Sequence, residues 1–498
     1  MNKRLLNTLK SKPAFLLLLP VFFVLHGFNE NYNAVSVSNA LLLLSKYLAS
    51  TLLLFFLFLW IYKNKINAYL ASFSLMAINF FFGSFHDFLK KNFADAFFTK
   101  YSFLLPSLLI FTIIYLIILK KRKLQFQKTF FYLNILFFVL IITDSSHLML
   151  KILKAKNIPE RAYLKELNIC DSCNKKDIYL ILADEYAGKT ELNKIFSFNN
   201  DPFLEQLKKR GFHTIDSSHS NYNLTVYSVA STLNMDFIAV KDPSQPSKYV
   251  VSASNIIYNN NVVLLLKSLG YTISNLSSFD MYENHTKYPD VFLPAEEELI
   301  NSQTLLNRVA HDLGYHLITT LKLNYFVRKQ LYKKFDYNNE KIKTTIDISK
   351  QKSKTPKFVF THLNLPHFPY YTDSNGNKLG SEIITAQIPT NKKQYLEYLI
   401  YSNKVLLNLI DNIQSNSLTP PIIILFSDHG FRHFIDEKNT SMQFNNLIAL
   451  NLGDSNYNQF YKGMSTVNLF RALFNVEFHQ HLSILKDDST ISTNLKIE

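Results

Sequence analysis

The chain has 498 residues and a formal net charge of +15, with 48% hydrophobic, 14% aromatic and only 18% charged residues. This composition excludes a disordered chain, because disordered segments are rich in charge and poor in apolar residues. A mean hydropathy of +0.01 is too high for an ordinary soluble enzyme and too low for a transporter built only of helices. We therefore expect two parts of different character.

Apolar stretches fill the first 150 residues and predict five transmembrane helices, since a bilayer core requires about 20 apolar residues. The stretches lie near Phe15 to Phe28, Ala40 to Tyr62, Ala68 to Leu89, Ser102 to Leu119 and Thr129 to Leu150. The first is short, but no small-residue cleavage site follows it, so we interpret it as a retained helix and not as a signal peptide. Residues 1–150 are thus predicted to form a transmembrane domain.

Basic residues predict the orientation of these helices. Lys and Arg are more frequent in the loops that face the cytoplasm if the amino terminus lies inside, as the positive-inside rule requires. An odd number of helices then places the rest of the chain outside the cytoplasmic (inner) membrane. Lys46, Asp87 and Asp144 lie toward predicted outer ends, which favours interfacial placement over a transport path.

The basic excess has two interpretations, a bias of composition or an attraction to anionic lipid or phosphate. Nucleic acid is not expected as a partner, because no basic cluster outside the membrane region alternates with stacking aromatics.

Residues 151–176 are predicted to be a juxtamembrane linker. It contains the only two cysteines, Cys170 and Cys173, as a C-x-x-C pair. Outside the cytoplasm a local disulfide is the first interpretation, with a redox pair or metal ligands as alternatives. Two ligands do not complete a zinc site by themselves.

Residues 177–498 alternate strand-like apolar runs with helical patterns, which predicts an α/β domain around a mainly parallel sheet. Strands are predicted at Asp177 to Ala183, Phe212 to Asp216, Tyr271 to Leu276, Lys357 to Leu365, Ile422 to Phe426 and Asn446 to Asn451. Helices are predicted at Phe203 to Arg210, Val226 to Leu233, Val262 to Leu269, Gln303 to Leu331, Lys392 to Ile413 and Thr466 to Phe474. The Lys- and Asn-rich segment Asp336 to Pro356 is predicted to be a loop or the end of a surface helix.

Two predicted strands end in side chains that bind metals. IYLILADEY ends the first strand with Asp184 and Glu185, and IIILFSDHG ends a later one with Asp428 and His429. Ligands of α/β sheets bind at the carboxyl ends of the strands, and a carboxylate beside an imidazole suits a divalent cation. The alternative for each acid is a helix cap.

Two further segments carry polar side chains of interest. In SNYNLTVYSVASTLN a polar turn leads to Thr225 at the start of a predicted helix. Such a hydroxyl is either an N-cap or a group at a phosphate-binding helix terminus. In FVFTHLNLPHFPY, His362 lies in a strand and His367 lies after Pro366, a setting that suits a ligand, a proton donor or a structural histidine.

The order of these motifs, D-E-Y, then N-Y-x-x-T-x-x-S-x-A-S-x-L-N, then P-H-x-P-Y, then S-D-H-G-F-R, resembles the sulfatase-like branch of the alkaline phosphatase superfamily. With five helices in front, the chain is similar to lipoteichoic acid synthases and lipid A phosphoethanolamine transferases. The similarity covers about Asp177 to Asn475. It implies an extracytoplasmic sulfatase-like catalytic domain at 177–498.

The resemblance also implies the site. The metal ligands would be Asp184, Thr225, Asp428 and His429, with Thr225 also the nucleophile and His367 a catalytic or substrate-binding group. The remaining candidates for substrate binding are His362, Glu185, Arg432 and His433. Zn or Mn is the expected ion and Mg the alternative.

The implied activity is transfer of a phosphoethanolamine or phosphoglycerol head group from a phospholipid to an envelope glycan or lipid through a phosphothreonine. A membrane-bound phosphodiesterase or phosphatase, or a sulfatase-like hydrolase, is an alternative, because it differs only in the acceptor. A non-catalytic scaffold is a second alternative. Sulfatase chemistry proper is disfavoured, because the C/S-x-P-x-R motif that yields formylglycine is missing at Thr225.

Overall fold

The computed structural model describes residues 12–32, 35–93, 96–121, 127–155, 173–238, 246–289, 297–320, 331–433, 437–453 and 456–490. The chain forms two compact units. The first, called here the helical unit, consists of Met1–Glu160 and Pro294–Leu323. The second, called the sheet unit, consists of Arg161–Leu293 and Asn324–Glu498. The helical unit thus includes a piece of chain from the middle of the sheet unit's sequence.

Five helices begin the helical unit. They are α1 (Phe15–Glu30), α2 (Val37–Tyr62), α3 (Lys65–Asn92), α4 (Tyr101–Lys121) and α5 (Gln127–Ala155). Helices α2 to α5 are long and apolar enough to cross a membrane, whereas α1 is a shorter apolar helix of 16 residues. Four of the predicted spans are therefore confirmed by length and composition, and the count of five stays a prediction. Large apolar side chains such as Trp60, Phe111 and Phe56 remain exposed, as expected where lipid is the solvent.

One six-stranded sheet forms the centre of the sheet unit. Its strands are β1 (Ile178–Ala183), β2 (His213–Thr214), β3 (Thr272–Leu276), β4 (Lys357–Leu363), β5 (Ile422–Phe426) and β6 (Ile448–Asn451), in the order β2-β6-β5-β1-β4-β3. β1, β3, β4 and β5 are parallel, and β6 is antiparallel to both β5 and β2. The predicted strands and the mainly parallel sheet are confirmed, with individual ends shorter by up to two residues.

The remaining helices follow in chain order. They are α6 (Lys189–Phe196), α7 (Asp201–Lys209), α8 (Thr225–Asn234), α9 (Pro246–Tyr258), α10 (Asn261–Ser268), α11 (Glu298–Asn301), α12 (Leu305–Thr320), α13 (Lys333–Lys350), α14 (Ser381–Thr385), α15 (Lys392–Asn416) and α16 (Leu469–Glu477), with short 3-10 turns at Phe97–Thr99, Glu437–Phe444 and Thr466–Asn468. Helices α11 and α12 belong to the helical unit. The predicted helix Gln303 to Leu331 is found as α12, and residues 321–330 lie outside the described residues.

Both faces of the sheet are covered, so the central strands are apolar along their whole length. Alternate residues of β1 point to opposite cores: Ile178, Leu180 and Leu182 pack with α8, α9, α10 and α16. Tyr179 and Ile181 pack with the layer that contains α6, α7, α13 and α15. This arrangement of helices on both faces of a mainly parallel sheet confirms the predicted α/β class.

The prediction of a loop or surface helix end at Asp336 to Pro356 is wrong, because α13 occupies most of that segment. Its buried face is partly polar, so the sequence lacks the regular spacing of apolar residues that predicts a helix. Lys341 donates to the main-chain oxygen of His362 over 2.8 Å, and Thr345 shares a hydrogen bond of 2.7 Å with Thr361. These bonds satisfy polar groups that the sequence pattern assigns to solvent.

Cys173 takes part in a disulfide bond, in agreement with the first interpretation of the C-x-x-C pair. Cys170 lies outside the described residues.

Candidate metal centre and active site

The site lies where the parallel central strands end. β1 pairs with β4 on one side and β5 on the other, and Leu182 is in register with both His362 and Phe426. Asp184 therefore follows β1 at the same edge of the sheet at which Asp428 follows β5. Asp184 does not cap the helix after it, because α6 begins after Gly188 without a side-chain cap. Oδ1 of Asp428 accepts from the main-chain N–H of Glu185.

Asp184, Asp428 and His429 form a buried cluster. One ligand atom from each lies within 4.8 Å of the other two. Metal–oxygen and metal–nitrogen bonds are about 2.0 to 2.2 Å long for zinc, so ligands of one ion lie within roughly twice that length of each other. The three predicted ligands, which are 245 positions apart at the extremes, therefore meet at a distance suited to one ion.

Thr225 is the first residue of α8, whose N-cap is Leu224 and which has no side-chain cap hydrogen bond. The alternative of a capping hydroxyl is therefore not supported. Its Oγ1 lies 3.4 Å from Nε2 of His429. The adjacent turn of the helix is fixed by Ser228, whose hydroxyl donates to the main-chain oxygen of Asp428. The structure thus brings the hydroxyl of Thr225 to the three-residue cluster.

The orientation of His429 is set by its other ring nitrogen. Nδ1 lies 2.7 Å from the main-chain oxygen of Gly430 and must donate there, since that oxygen only accepts. Nε2 is then the nitrogen that faces the cluster, where Asp428 Oδ2 lies at 3.2 Å. Such a bond from the second nitrogen is the usual way in which a histidine ligand is oriented.

The charges of the cluster favour a cation. Burial, followed by the negative charge of Asp184, raises the pKa of Asp428 above its ordinary value. Burial also acts to raise the pKa of Asp184, but His367, His362 and His429 together lower it below its ordinary value. Oδ1 of Asp184 and Oδ2 of Asp428 are buried without a hydrogen-bond partner among the described residues. Two such oxygens and an imidazole nitrogen are a donor set that fits a divalent cation.

Two residues behind Asp184 hold its carboxylate. His362, only 1% exposed, has Nε2 at 3.0 Å from Oδ2 of Asp184, and its ring stacks on Phe279. Asn364 donates to the same oxygen over 3.4 Å. Since His362 is buried, its position favours orienting Asp184 over the substrate contact suggested by the sequence.

A second group of predicted residues surrounds Glu185, which is fully buried and has a positive φ of 60°. Its Oε1 lies 3.1 Å from Nε2 of His433 and accepts from the main-chain N–H of Arg432 over 3.3 Å. Its Oε2 lies 3.9 Å from Nε2 of His367. A left-handed backbone costs a non-glycine residue about 1 kcal/mol or more, and such conformations cluster at functional sites.

The electrostatics of this second group follow from burial and the neighbouring charges. Burial alone would raise the pKa of Glu185, but His433, His367 and Arg432 lower it below its ordinary value. Burial lowers the pKa of His367, although Asp184 and Glu185 oppose that shift. His367 donates from Nδ1 to the main-chain oxygen of Phe368, which leaves Nε2 as an acceptor. The basic neighbours of Glu185 thus favour its charged form, whereas burial favours the neutral form of His367.

Sequence patterns did not identify Glu191, which supports the loop after Asp428. This residue of α6 is fully buried, and its Oε2 accepts from the main-chain N–H of Phe431 over 3.2 Å. Burial, together with the charge of Glu185, raises its pKa well above the ordinary value. Acidic residues are common in the first turn of solvent-exposed helices, where they interact favourably with the helix dipole. The sequence around Glu191 therefore does not show that this residue is buried.

We expect Glu191→Gln to raise the free energy of unfolding at neutral and higher pH. The folded protein keeps Glu191 protonated above the pH at which the unfolded chain loses that proton. Stability therefore falls as pH rises from about 4.3, the ordinary pKa of Glu, up to the raised value. Gln accepts the same hydrogen bond without this loss, so urea unfolding from pH 4 to 8 should show a flatter dependence.

Glu191→Leu is the matched control. It leaves the N–H of Phe431 buried without an acceptor, which costs about 1–3 kcal/mol at every pH. A Gln variant that is destabilised as much as the Leu variant would show that Glu191 is charged in the folded protein.

Residues 177–476 match the model of the Sulfatase family. Among solved structures, the chain is similar to the C-terminal periplasmic domain of EcEptC from Escherichia coli, with 13% identity, a TM-score of 0.36, and coverage of 62% of this chain and 84% of that one.

Two more solved structures are similar. The C-terminal periplasmic domain of phosphoethanolamine transferase EptC from Campylobacter jejuni has 13% identity and a TM-score of 0.35, covering 63% of this chain and 92% of that one. A protein of the alkaline phosphatase superfamily from Vibrio parahaemolyticus has 16% identity and a TM-score of 0.36, covering 62% and 68%. No curated protein matches the sequence. Since the family model covers more than half of the chain, this protein belongs to the Sulfatase family and is a sulfatase-like enzyme with apolar helices at its amino-terminal end.

Proposed function

We propose that the protein is a metal-dependent transferase that moves a phospho-alcohol head group from a phospholipid to an envelope glycan or lipid, with Thr225 as the nucleophile. The single observation that carries this proposal is the convergence of the Thr225 hydroxyl on the buried cluster of Asp184, Asp428 and His429. A hydroxyl nucleophile with no formylglycine precursor favours phosphoryl transfer over sulfate-ester chemistry.

Asp184, Asp428, His429 and Thr225 would hold the cation. When bound, a divalent cation lowers the pKa of a hydroxyl and neutralises charge on phosphoryl oxygens. Oxygen and nitrogen donors favour Zn or Mn, with Mg as the alternative. The orphaned oxygens of the two aspartates support this assignment.

Thr225 has two roles in the reaction proposed here. Its Oγ1 loses its proton and forms a bond to phosphorus while the bond between phosphorus and the diacylglycerol oxygen breaks. The leaving oxygen takes up a proton, which gives diacylglycerol and a phosphothreonine diester. In the second step a hydroxyl of the acceptor attacks phosphorus and releases Thr225. The start of α8 favours the anionic phosphoryl group, because the first N–H groups of a helix lack partners within it.

The residues around Glu185 are proposed to bind and orient the transferred group. His367 offers Nε2 as a hydrogen-bond acceptor on the neutral ring, suited to taking the proton of the acceptor hydroxyl in the second step. Arg432 and His433 are partly exposed and border the buried carboxylate of Glu185. The guanidinium group of Arg432 would position an anionic phosphodiester by charge-assisted hydrogen bonds.

The apolar helices support a lipid donor, because a phospholipid presents its head group at the membrane surface. We propose that the protein is a multi-pass protein of the cytoplasmic membrane with the sheet unit outside the cytoplasm, as the distribution of Lys and Arg predicts. The acceptor would then be a glycan or lipid of the envelope.

The test uses the full-length protein in detergent with a phosphatidylethanolamine or phosphatidylglycerol that carries a fluorescent acyl chain. We expect release of fluorescent diacylglycerol, its loss with a chelator and its return with added Zn²⁺ or Mn²⁺. Release with free phosphoethanolamine or phosphoglycerol as the only other product, in the presence of envelope lipid and glycan, would assign a hydrolase instead. No release from either lipid would overturn the proposed donor.

A further inference from the structure

The segment 297–314 lies within the sequence of the sheet unit but packs in the helical unit. It comprises α11 and the first turns of α12. The chain consequently passes between the two units at three places, after Glu160, Leu293 and Leu323. One connection between the two units would be enough to join a domain to its membrane anchor. The two additional connections therefore suggest that the inserted segment has a function.

Glycine positions provide the first evidence that this packing is specific. The first 155 residues contain only two glycines, Gly27 and Gly83, and both face the segment. A Cβ on Gly27 would lie 2.7 Å from Cγ2 of Ile300, and a Cβ on Gly83 would lie 2.8 Å from Cα of Gln303. Glycine costs about 1 kcal/mol relative to alanine inside a helix, and small residues let backbones approach closely in membrane proteins.

Direct bonds reinforce this contact. The N–H of Gly83 donates to the main-chain oxygen of Gln303 over 2.8 Å. Ile300 is 5% exposed and packs among apolar side chains of α1 and α2. The backbone of the segment therefore lies directly on the membrane helices.

Two ion pairs and one hydrogen bond hold both ends of the segment to three different helices. Lys46 of α2 bonds both carboxylate oxygens of Glu297 at 2.9 Å. Arg308 pairs with Asp87 of α3, and the hydroxyl of Tyr101, at the start of α4, donates to Asp312. These contacts involve the first half of α2, the last turns of α3 and the first turn of α4. Since consecutive spans run in opposite directions, all three contacts lie at the same end of the helical unit.

We propose that 297–314 is a return anchor, whose seating on Gly27 and Gly83 positions the catalytic residues for a substrate held in the bilayer. This inference rests on the proposed function for the identity of that substrate. The anchor acts by limiting the movement of the sheet unit, so it matters for a donor fixed in the membrane and not for a soluble phosphodiester that diffuses to the site.

Gly83→Ala tests this proposal in the full-length protein. We expect its rate on fluorescent phosphatidylethanolamine to fall by about 10- to 100-fold, the range that small misplacement of reacting groups produces. Hydrolysis of soluble bis(4-nitrophenyl) phosphate and the content of bound metal should not change. Gly314→Ala is the matched control, because a Cβ on Gly314 meets no atom within 4 Å. An unchanged lipid rate in Gly83→Ala, or an equal loss on both substrates, would overturn the proposal.

A cysteine pair measures the seating without any substrate. In Gly27→Cys combined with Ile300→Cys, the two Cβ atoms would lie about 3.2 Å apart, close to the roughly 3.5–4.5 Å of a disulfide. We expect rapid cross-linking on mild oxidation, with lipid activity retained in the cross-linked protein. Absence of the cross-link would overturn the anchor itself. Cross-linking in a protein that acts only on the soluble diester would leave the anchor standing and contradict the lipid donor.

Discussion

Thr225→Ala is expected to lower release of diacylglycerol from a phospholipid by on the order of 10³-fold or more, as loss of a covalent nucleophile does in other enzymes. The reason is geometric: the hydroxyl of Thr225 reaches the buried cluster, 3.4 Å from Nε2 of His429. The fold should be unaffected, since this hydroxyl makes no capping bond to α8. Single-turnover assays of the purified full-length protein measure the loss, and intact mass spectrometry should find a phospho-adduct on the wild type only.

Two variants make the result specific to the nucleophile. Thr225→Ser keeps a hydroxyl and should retain measurable activity. Thr232→Ala removes a hydroxyl of the same helix that donates to the main-chain oxygen of Ser228 over 2.8 Å, and it should behave as the wild type. If Thr225→Ala still formed the adduct, the nucleophile would have to be sought among the serines of α8, Ser228 and Ser231.

The parts of the site that could be predicted are those that local patterns encode. Six apolar runs became the six strands of the sheet. Because parallel strands end at a common edge, the acids that follow β1 and β5 were expected near each other. Their ligand atoms indeed lie with that of His429 within 4.8 Å. Thr225 was identified from the order of the motifs. No periodic pattern in the sequence links it to Asp428 and His429, which lie about 200 positions later.

Other features depend on contacts that leave no local pattern. No sequence pattern pointed to Glu191 or Asn364, yet Glu191 holds the main chain at Phe431 and Asn364 holds Asp184. Helix α13 was missed because its buried face carries Lys341 and Thr345, whose bonds are visible only in the fold. The grouping of residues 294–323 with the membrane helices joins segments more than 200 positions apart.

Asp428→Asn is expected to remove the bound metal and to lower the rate by about 10²-fold or more, because even partners of metal ligands cost about 10- to 100-fold when lost. The amide is nearly isosteric, and its oxygen can still accept from the main-chain N–H of Glu185, as Oδ1 of Asp428 does over 3.1 Å. Metal per chain is measured by elemental analysis after gel filtration. Asp411→Asn, which alters only a pair with Arg210, is the control and should keep both metal and activity.

The same substitution should stabilise the metal-free protein. Burial and the charge of Asp184 raise the pKa of Asp428, so the folded chain holds a proton there that the unfolded chain releases near pH 3.9. The free energy of unfolding of the metal-free wild type therefore falls as pH rises above 3.9 toward the raised pKa. Asn carries no such penalty, so with chelator at pH 8 we expect Asp428→Asn to unfold at a higher urea concentration than the wild type.

With metal the order should reverse, because only the wild type gains the free energy of metal binding. A metal-free wild type that is the more stable of the two at pH 8 would show that Asp184 and Asp428 do not repel each other, and the electrostatic case for a cation between them would fail.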